Sequence, residues 1–319
     1  MKLVFLDSNT VAYQGDVDLA PLSALGDWQQ FPTTSPDDTE TRVQGADVVI
    51  CNKVVLNRAT LESAPQIKLI AVTATGTNNI DLAAAKQMGM QVCNVSGYST
   101  GSVAQHAIAM MLNLVTNMHQ YTAEKRLWAE SPIFTRLDHP VGDLAKMTLG
   151  IAGAGNIGVR VGEIATSFGM KVQCLHRQGA TSSARSWPRV AKQRFFESSD
   201  IVTLHCPLTP DTQLLINSET LGWMKSTALL INTGRGELVD EKALVDALAS
   251  GQLAGAGLDV LAPEPPPANH PLLSFDHPNL LITPHTAWSS LHSRTVLIER
   301  VVSNIQAFID HGEAGNRLV

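Results

Sequence analysis

Four short apolar runs in this 319-residue chain each hand over to a side chain that can do chemistry. His205 follows Ile201–Leu204, and Thr233-Gly234-Arg235-Gly236 follows the run ending at Asn232. Asp259 follows Ala254–Leu258, and Pro284-His285 follows Leu280–Thr283. In an open parallel sheet the carboxyl ends of the strands share one edge, and that edge is the ligand crevice. Arg235 there offers a planar fork for a carboxylate, with further N–H groups able to polarise a neighbouring carbonyl. His285 can give and take a proton near neutral pH. A proton-carrying imidazole gains from a carboxylate that stabilises its charged form and fixes its tautomer. Glu264, in the corner Ala262-Pro263-Glu264-Pro265-Pro266-Pro267, is the candidate, because prolines stiffen the loop that carries it. Taken alone, Glu264 reads rather as an exposed acid in a Pro-rich turn, whereas the flanking Gly234 and Gly236 favour an aimed Arg235 over a surface arginine. His205 is the rival histidine, but it lies further back along the sheet and is expected at a cofactor. His106 and His119 read as polar positions on a helix, and His139, His277, His292 and His311 as surface residues.

The element that must organise this edge is Met147–Arg177. Thr148–Ala152 reads as a buried strand, Gly153-x-Gly155-x-x-Gly158 as the turn, Val161, Ile164, Ala165 and Phe168 as a helix face, and Met170–Leu175 as a second strand. That context turns a weak glycine pattern into a dinucleotide-binding fingerprint. Gly153 makes the tight turn, Gly155 admits the pyrophosphate, and Gly158 lets helix and strand pack closely. The helix start presents N–H groups and a positive dipole end to phosphates. About 20 residues past the glycines an acid usually holds the ribose 2′-hydroxyl. Here His176 and Arg177 stand instead. An imidazole and a guanidinium can bind a 2′-phosphate that a carboxylate would repel, so NADP(H) is favoured, with NAD(H) possible. The alternative is a permissive pocket with two solvated strand-end residues.

Bulk properties narrow the class. The length suits two domains. A net charge of −6 and a pI near 5.9 argue against nucleic acid or an anionic membrane as partner. No apolar run reaches the roughly 18 residues of a membrane span, and the start lacks a signal-peptide layout. Cys51, Cys93, Cys174 and Cys206 are widely spaced, which fits reduced thiols of a cytoplasmic protein and supports no metal site.

Leu3–Leu6, Val48–Cys51, Leu69–Thr73 and Val92–Val95 read as strands of a small parallel α/β unit, with helical character at Leu61–Ala64 and Asp81–Met88. A connecting helix is expected over Ser102–Met118, then an irregular excursion to Lys146. The second unit continues with strands near Ile201–Leu204, Ala228–Ile231, Ala254–Leu258 and Leu280–Thr283, and helices at Ser218–Met224 and Glu241–Ala249. A last helix, about Ser290 to Asp310, is expected to pack back on the first unit. The expected architecture is α/β, with residues 1–98 and 288–319 as the smaller domain and 99–287 as the larger, dinucleotide-binding one.

TGRGELVD (Thr233–Asp240), GLDV-x-x-PEPP (Gly257–Pro266), TPH-x-A (Thr283–Ala287) and the upstream GAGNIG occur in an order that resembles the D-isomer-specific 2-hydroxyacid dehydrogenase family. CNKVVLNRATL and VTATGTNNIDLAAAKQMGMQVCNVSGYSTGSVAQ are most similar to its glycerate dehydrogenase/hydroxypyruvate reductase branch. The resemblance implies two Rossmann-like domains, the smaller flavodoxin-like, and Arg235, Glu264 and His285 as the catalytic set. It implies cofactor contacts at Asn156, Ile157, His205, Cys206, Pro207, Thr233, Gly234, Arg235, Asp259, His285 and Ala287. Asn52, Thr75 and Gly76, with Arg235 and His285, are implied on the substrate side. It also implies a homodimer through the region of Ser102–Lys146. Position 176 departs from the family's usual acid.

The resulting expectation is an oxidoreductase that reduces hydroxypyruvate or glyoxylate in a cleft between domains. Two alternatives stand beside it: a dinucleotide-sensing binding protein or corepressor, and a dehydrogenase for larger 2-oxo acids.

Overall fold

The computed structural model describes residues 1–176 and 187–319. They form two compact units, Met1–Ser99 with Ser289–Val319, and Thr100–Trp288.

In the first unit, β1 (Lys2–Phe5), β2 (Asp27–Gln30), β3 (Val48–Cys51), β4 (Leu69–Val72) and β5 (Gln91–Cys93) make one parallel sheet in the order β2-β1-β3-β4-β5. That is the flavodoxin-like order. β3 and β4 are buried along their whole length, as strands covered on both faces must be, which is why they appear as unbroken apolar runs. β2, Asp-Trp-Gln-Gln, is an edge strand with three exposed residues, and its polarity hides it from an apolar-run reading. The helix Pro36–Val43, capped by Ser35, is a second element that reading does not anticipate. The C-terminal helix Leu291–His311 belongs to this unit and buries Leu297, Ile298, Val301 and Ile305. Each such side chain contributes roughly 1.5–3 kcal/mol. Ser290 caps its start, Gly312 in the left-handed region ends it, and Asn304 Nδ2 donates to the Asn94 carbonyl at 3.0 Å.

The second unit has seven strands: β6 (Thr148–Ala152), β7 (Lys171–Leu175), β8 (Arg189–Val190), β9 (Ile201–Leu204), β10 (Leu229–Asn232), β11 (Gly255–Leu258) and β12 (Leu280–Ile282). All pair in parallel, in the order β12-β11-β10-β9-β6-β7-β8. The chain therefore begins at β6, builds outward through β7 and β8, and returns to lay β9 on the other side of β6. This is a topological switch point. The helix Lys192–Ser198, which buries Phe195 and Phe196, was not expected; charged neighbours dilute its apolar signal. The connecting helix runs Thr100–Thr116 and stops where Asn117 takes a left-handed backbone. A short helix, Met118–Ala123, and a tight turn, Lys125–Glu130, follow in the excursion. No helix among the described residues is long and apolar enough to cross a membrane.

Candidate active site

The switch point brings the glycine turn against the loop that follows β9. Gly153 has φ +103°, and a side chain there would press into the backbone of His205 and Cys206. Gly155 caps the helix Asn156–Ser167 without a side-chain hydrogen bond, and nothing lies within 4 Å of where its Cβ would be. The first N–H groups of that helix thus face a cleft of about 360 Å³ bordered by Thr100, Asn156 and Arg160, among others. An uncapped helix start over open space suits a pyrophosphate, so the residues present fit a dinucleotide. His176, exposed, directly follows β7, its backbone N–H donating to the Val190 carbonyl at 2.8 Å. Arg177 lies outside the described residues.

His205 sits between two hydroxyls, Thr203 Oγ1 at 2.9 Å from Nε2 and Thr233 Oγ1 at 3.4 Å from Nδ1. Desolvation pushes its pKa down to about 3, so the ring is neutral near pH 7. A ring that stays uncharged at neutral pH is poorly suited to act as the general acid.

The loop after β12 is held from several directions. Asp259 is only 1% exposed, and both carboxylate oxygens are engaged. Oδ1 accepts from Thr283 Oγ1 at 2.6 Å and from the Thr286 N–H at 2.8 Å, while Oδ2 accepts from the Ala287 N–H at 2.9 Å. The His285 N–H donates to the Asp259 carbonyl at 2.8 Å. Residues 283–287 are therefore wrapped around one acid, and His285 is held at φ +52°. A non-glycine residue in that region costs about 1–3 kcal/mol, which a buried network of this kind can offset. The Asp259 carboxylate, expected on the cofactor side, is hydrogen-bonded to the loop that carries His285. Ala287 is likewise buried, with its N–H on Asp259 and its carbonyl accepting from Ser102 Oγ at 2.6 Å.

His106, expected to be merely a polar helix position, has Nε2 3.0 Å from Thr283 Oγ1. That hydroxyl has already donated its proton to Asp259, so it accepts here and His106 carries hydrogen on Nε2. Ser102 and His106 stand one turn apart on the helix Thr100–Thr116, and both reach the His285 loop. Their i, i+4 spacing, which puts Ser102 and His106 on one face of the helix, was the available signal.

Arg235 sits in a turn closed by the buried side chain of Asn232, which donates to the Arg235 carbonyl at 2.8 Å and accepts from the Gly234 N–H at 3.0 Å. Its Nη1 donates to the Gly234 carbonyl at 2.7 Å. A side chain at Gly236 would run into the backbone of Leu261 and Ala262, so this turn rests directly on the strap leading to Glu264. Glu264 accepts from the Leu261 N–H at 3.1 Å through Oε1, and its Oε2 lies 2.6 Å from His285 Nδ1. The imidazole and carboxylate picked out from sequence are thus in hydrogen-bond contact. With Nδ1 engaged, Nε2 is the atom left for proton exchange.

In the first unit Asn52 is buried, and its N–H donates to Asp7 Oδ1 at 2.8 Å. Asp7 Oδ2 accepts from the N–H groups of Lys53 and Val54 at 2.7 and 3.2 Å. Burial raises the Asp7 carboxyl above the usual range, against the opposing pull of those N–H groups. Thr75 Oγ1 donates to the Val95 carbonyl at 2.9 Å, and the Thr75 carbonyl accepts from Asn94 Nδ2 at 2.6 Å. Gly76 follows, half-buried.

Comparison with known proteins agrees with this geometry. Residues 108–287 match the family described as D-isomer specific 2-hydroxyacid dehydrogenase, NAD binding domain. The glycerate dehydrogenase of Methylorubrum extorquens is 38% identical, covering 97% of this chain and 96% of that one. The hydroxypyruvate reductase of Blautia hydrogenotrophica is 36% identical and covers 97% of both chains. The NADPH-dependent glyoxylate/hydroxypyruvate reductase of Sinorhizobium meliloti, solved with NADP and malonate, superposes with a TM-score of 0.80 at 25% identity, over 100% of this chain and 96% of that one. With its matched domain, its full-length relatives and its two parallel sheets, the chain belongs to the D-isomer specific 2-hydroxyacid dehydrogenase family.

Proposed function

We propose that this protein reduces a small 2-oxo acid, hydroxypyruvate or glyoxylate, to the D-2-hydroxy acid, reversibly, with His285 as acid and base. The observation that carries the reading is the 2.6 Å contact between His285 Nδ1 and Glu264, on a loop hydrogen-bonded to the Asp259 carboxylate. When bound, the reduced nicotinamide supplies the hydride that adds to the 2-carbon. Nε2 of His285 gives its proton to the carbonyl oxygen, and Glu264 stabilises the charged ring before the transfer and fixes its tautomer. General acid catalysis of this kind contributes about 10²–10⁴-fold. Arg235 binds the substrate carboxylate and polarises the carbonyl. The Thr75–Gly76 loop is assigned to the substrate carboxylate through its backbone amides, and Asn52 to a second loop on the substrate side. In the reverse direction His285 accepts the hydroxyl proton.

NADP(H) is the favoured cofactor, because His176 occupies the place where an acid would repel a 2′-phosphate. A homodimer through the excursion after the connecting helix is supported by Trp128, Ile133, Phe134, Leu137 and Val141, all exposed, with Phe134 at 90%. The four free cysteines, three of them buried, suit a reducing compartment such as the cytoplasm.

Absorbance at the reduced-nicotinamide band, with hydroxypyruvate or glyoxylate present, tests the reading. Oxidation of NADPH faster than NADH is expected with at least one acid. No oxidation of either nucleotide would overturn it and favour a dinucleotide-sensing protein instead.

A further inference from the structure

Behind the strap that carries Glu264 lies an acid–imidazole pair with no place in the proton transfer. Glu241 opens the helix Glu241–Ala249, and His270 precedes the short helix Pro271–Ser274. His270 Nε2 lies 2.9 Å from Glu241 Oε2 and 3.3 Å from the Ala262 carbonyl. Both partners are acceptors, so Nε2 carries the hydrogen. Glu241 Oε1 accepts from the Ala262 N–H at 2.9 Å. The pair therefore holds the N–H of Ala262 through the acid and its C=O through the ring, two residues before Glu264.

Stability alone does not account for this histidine. His270 is only 3% exposed, and among the described residues its Nδ1 is one of two buried side-chain atoms with no hydrogen-bond partner. An apolar side chain of similar size would fill the space without an orphaned nitrogen. What it would lose is the donor aimed at Glu241 and Ala262. That strap also backs the turn of Arg235, since Gly236 rests against the backbone of Leu261 and Ala262.

We infer that Glu241 and His270 are positioning residues, which clamp the Ala262 peptide so that Glu264 meets His285 and the Arg235 turn keeps its seat. The inference rests on the proposed roles of Arg235, Glu264 and His285. Loss of the clamp lets the carboxylate drift from the imidazole, and misplacement on the ångström scale is enough to slow a reaction substantially.

The test compares the full-length parent with His270→Leu and His270→Gln. The glutamine amide can reach the same two acceptors. His270→Leu is expected to lower kcat for reduction of the accepted 2-oxo acid about tenfold while the KM for NADPH stays within about twofold. The pH above which reduction fails should also move down, as in Glu264→Gln. His270→Gln should recover most of both. A folded His270→Leu with the parent's kcat and pH profile overturns the inference, and so does a His270→Gln as impaired as His270→Leu. NMR titration of the His285 ring without substrate keeps the two readings apart. A lower midpoint in His270→Leu, restored in His270→Gln, supports the clamp even if neither acid proves to be a substrate, and an unmoved midpoint sinks it.

Discussion

His285 Nδ1 and Glu264 Oε2 lie 2.6 Å apart, although 21 positions separate the two residues in the chain. The contact joins a loop strapped by prolines to a loop wound around Asp259. Because the carboxylate is on Nδ1, the direction in which Nε2 points is settled by the protein before any substrate arrives. The ring needs no reorganisation at the moment of proton transfer.

Removing that ring should cost turnover far more than nucleotide binding. His285→Ala is expected to lower kcat by at least about 10²-fold, with the dissociation constant for NADPH changed less than about threefold. Steady-state kinetics and nucleotide titration check this, and near-parental turnover would remove His285 from the mechanism.

Glu264→Gln keeps the shape of the side chain and drops its charge. A neutral partner favours the charged imidazole less, so the proton is lost at lower pH. Reduction requires that proton, hence its rate should begin to fall at lower pH than in the parent. A kcat profile over neutral to alkaline pH decides the matter, and a profile that overlays the parent's refutes the dyad.

Asp259→Asn puts an amide where two backbone N–H groups and one hydroxyl now find acceptors. Whichever way the amide turns, its NH₂ faces a donor. The expected cost is about 2–3 kcal/mol, seen as a roughly 5–10 °C drop in Tm, with loss of activity because the left-handed backbone of His285 loses its support. A thermal scan showing no drop would mean that the loop is held by other contacts.

His205 contributes to acid sensitivity. Its folded pKa is depressed to about 3, whereas an unfolded histidine titrates near its ordinary value of 6.5. Between those values the unfolded chain binds a proton that the native ring refuses. This residue's stabilising contribution is therefore complete above about pH 6.5 and is lost as pH falls, at up to about 1.4 kcal/mol per pH unit. His205→Gln should flatten the fall of Tm between pH 6.5 and 4. Parallel curves for parent and variant would contradict the assignment.

Cofactor choice can be tested at one position. His176→Asp places a carboxylate where a 2′-phosphate is proposed to sit, and should reduce the ratio of kcat/KM for NADPH over NADH by about tenfold or more through repulsion and regained ribose binding. An unchanged ratio would mean that position 176 does not face the ribose.

What the sequence determined by itself was local. Buried parallel strands are unbroken apolar runs, so β3, β4, β6 and β9 announce themselves, and the Gly153, Gly155, Gly158 spacing states its own turn. Arg235 and His285 stood out because they follow strand ends, and Glu264 as the acid held in a proline-rich corner. β2 and the helix Lys192–Ser198 escaped, the first because an exposed edge strand has no apolar run, the second because its two buried phenylalanines stand among charges. Only the tertiary structure decided the support of the site. Asp259 to Ala287, His106 to Thr283, Asn232 to Arg235 and Glu241 to Ala262 are hydrogen bonds between elements, and each depends on strand register and helix rotation. A polar side chain reads the same in sequence whether it faces a substrate, a backbone amide or water. Its partner is settled by packing, because a buried polar group must find one, and the fold alone supplies it.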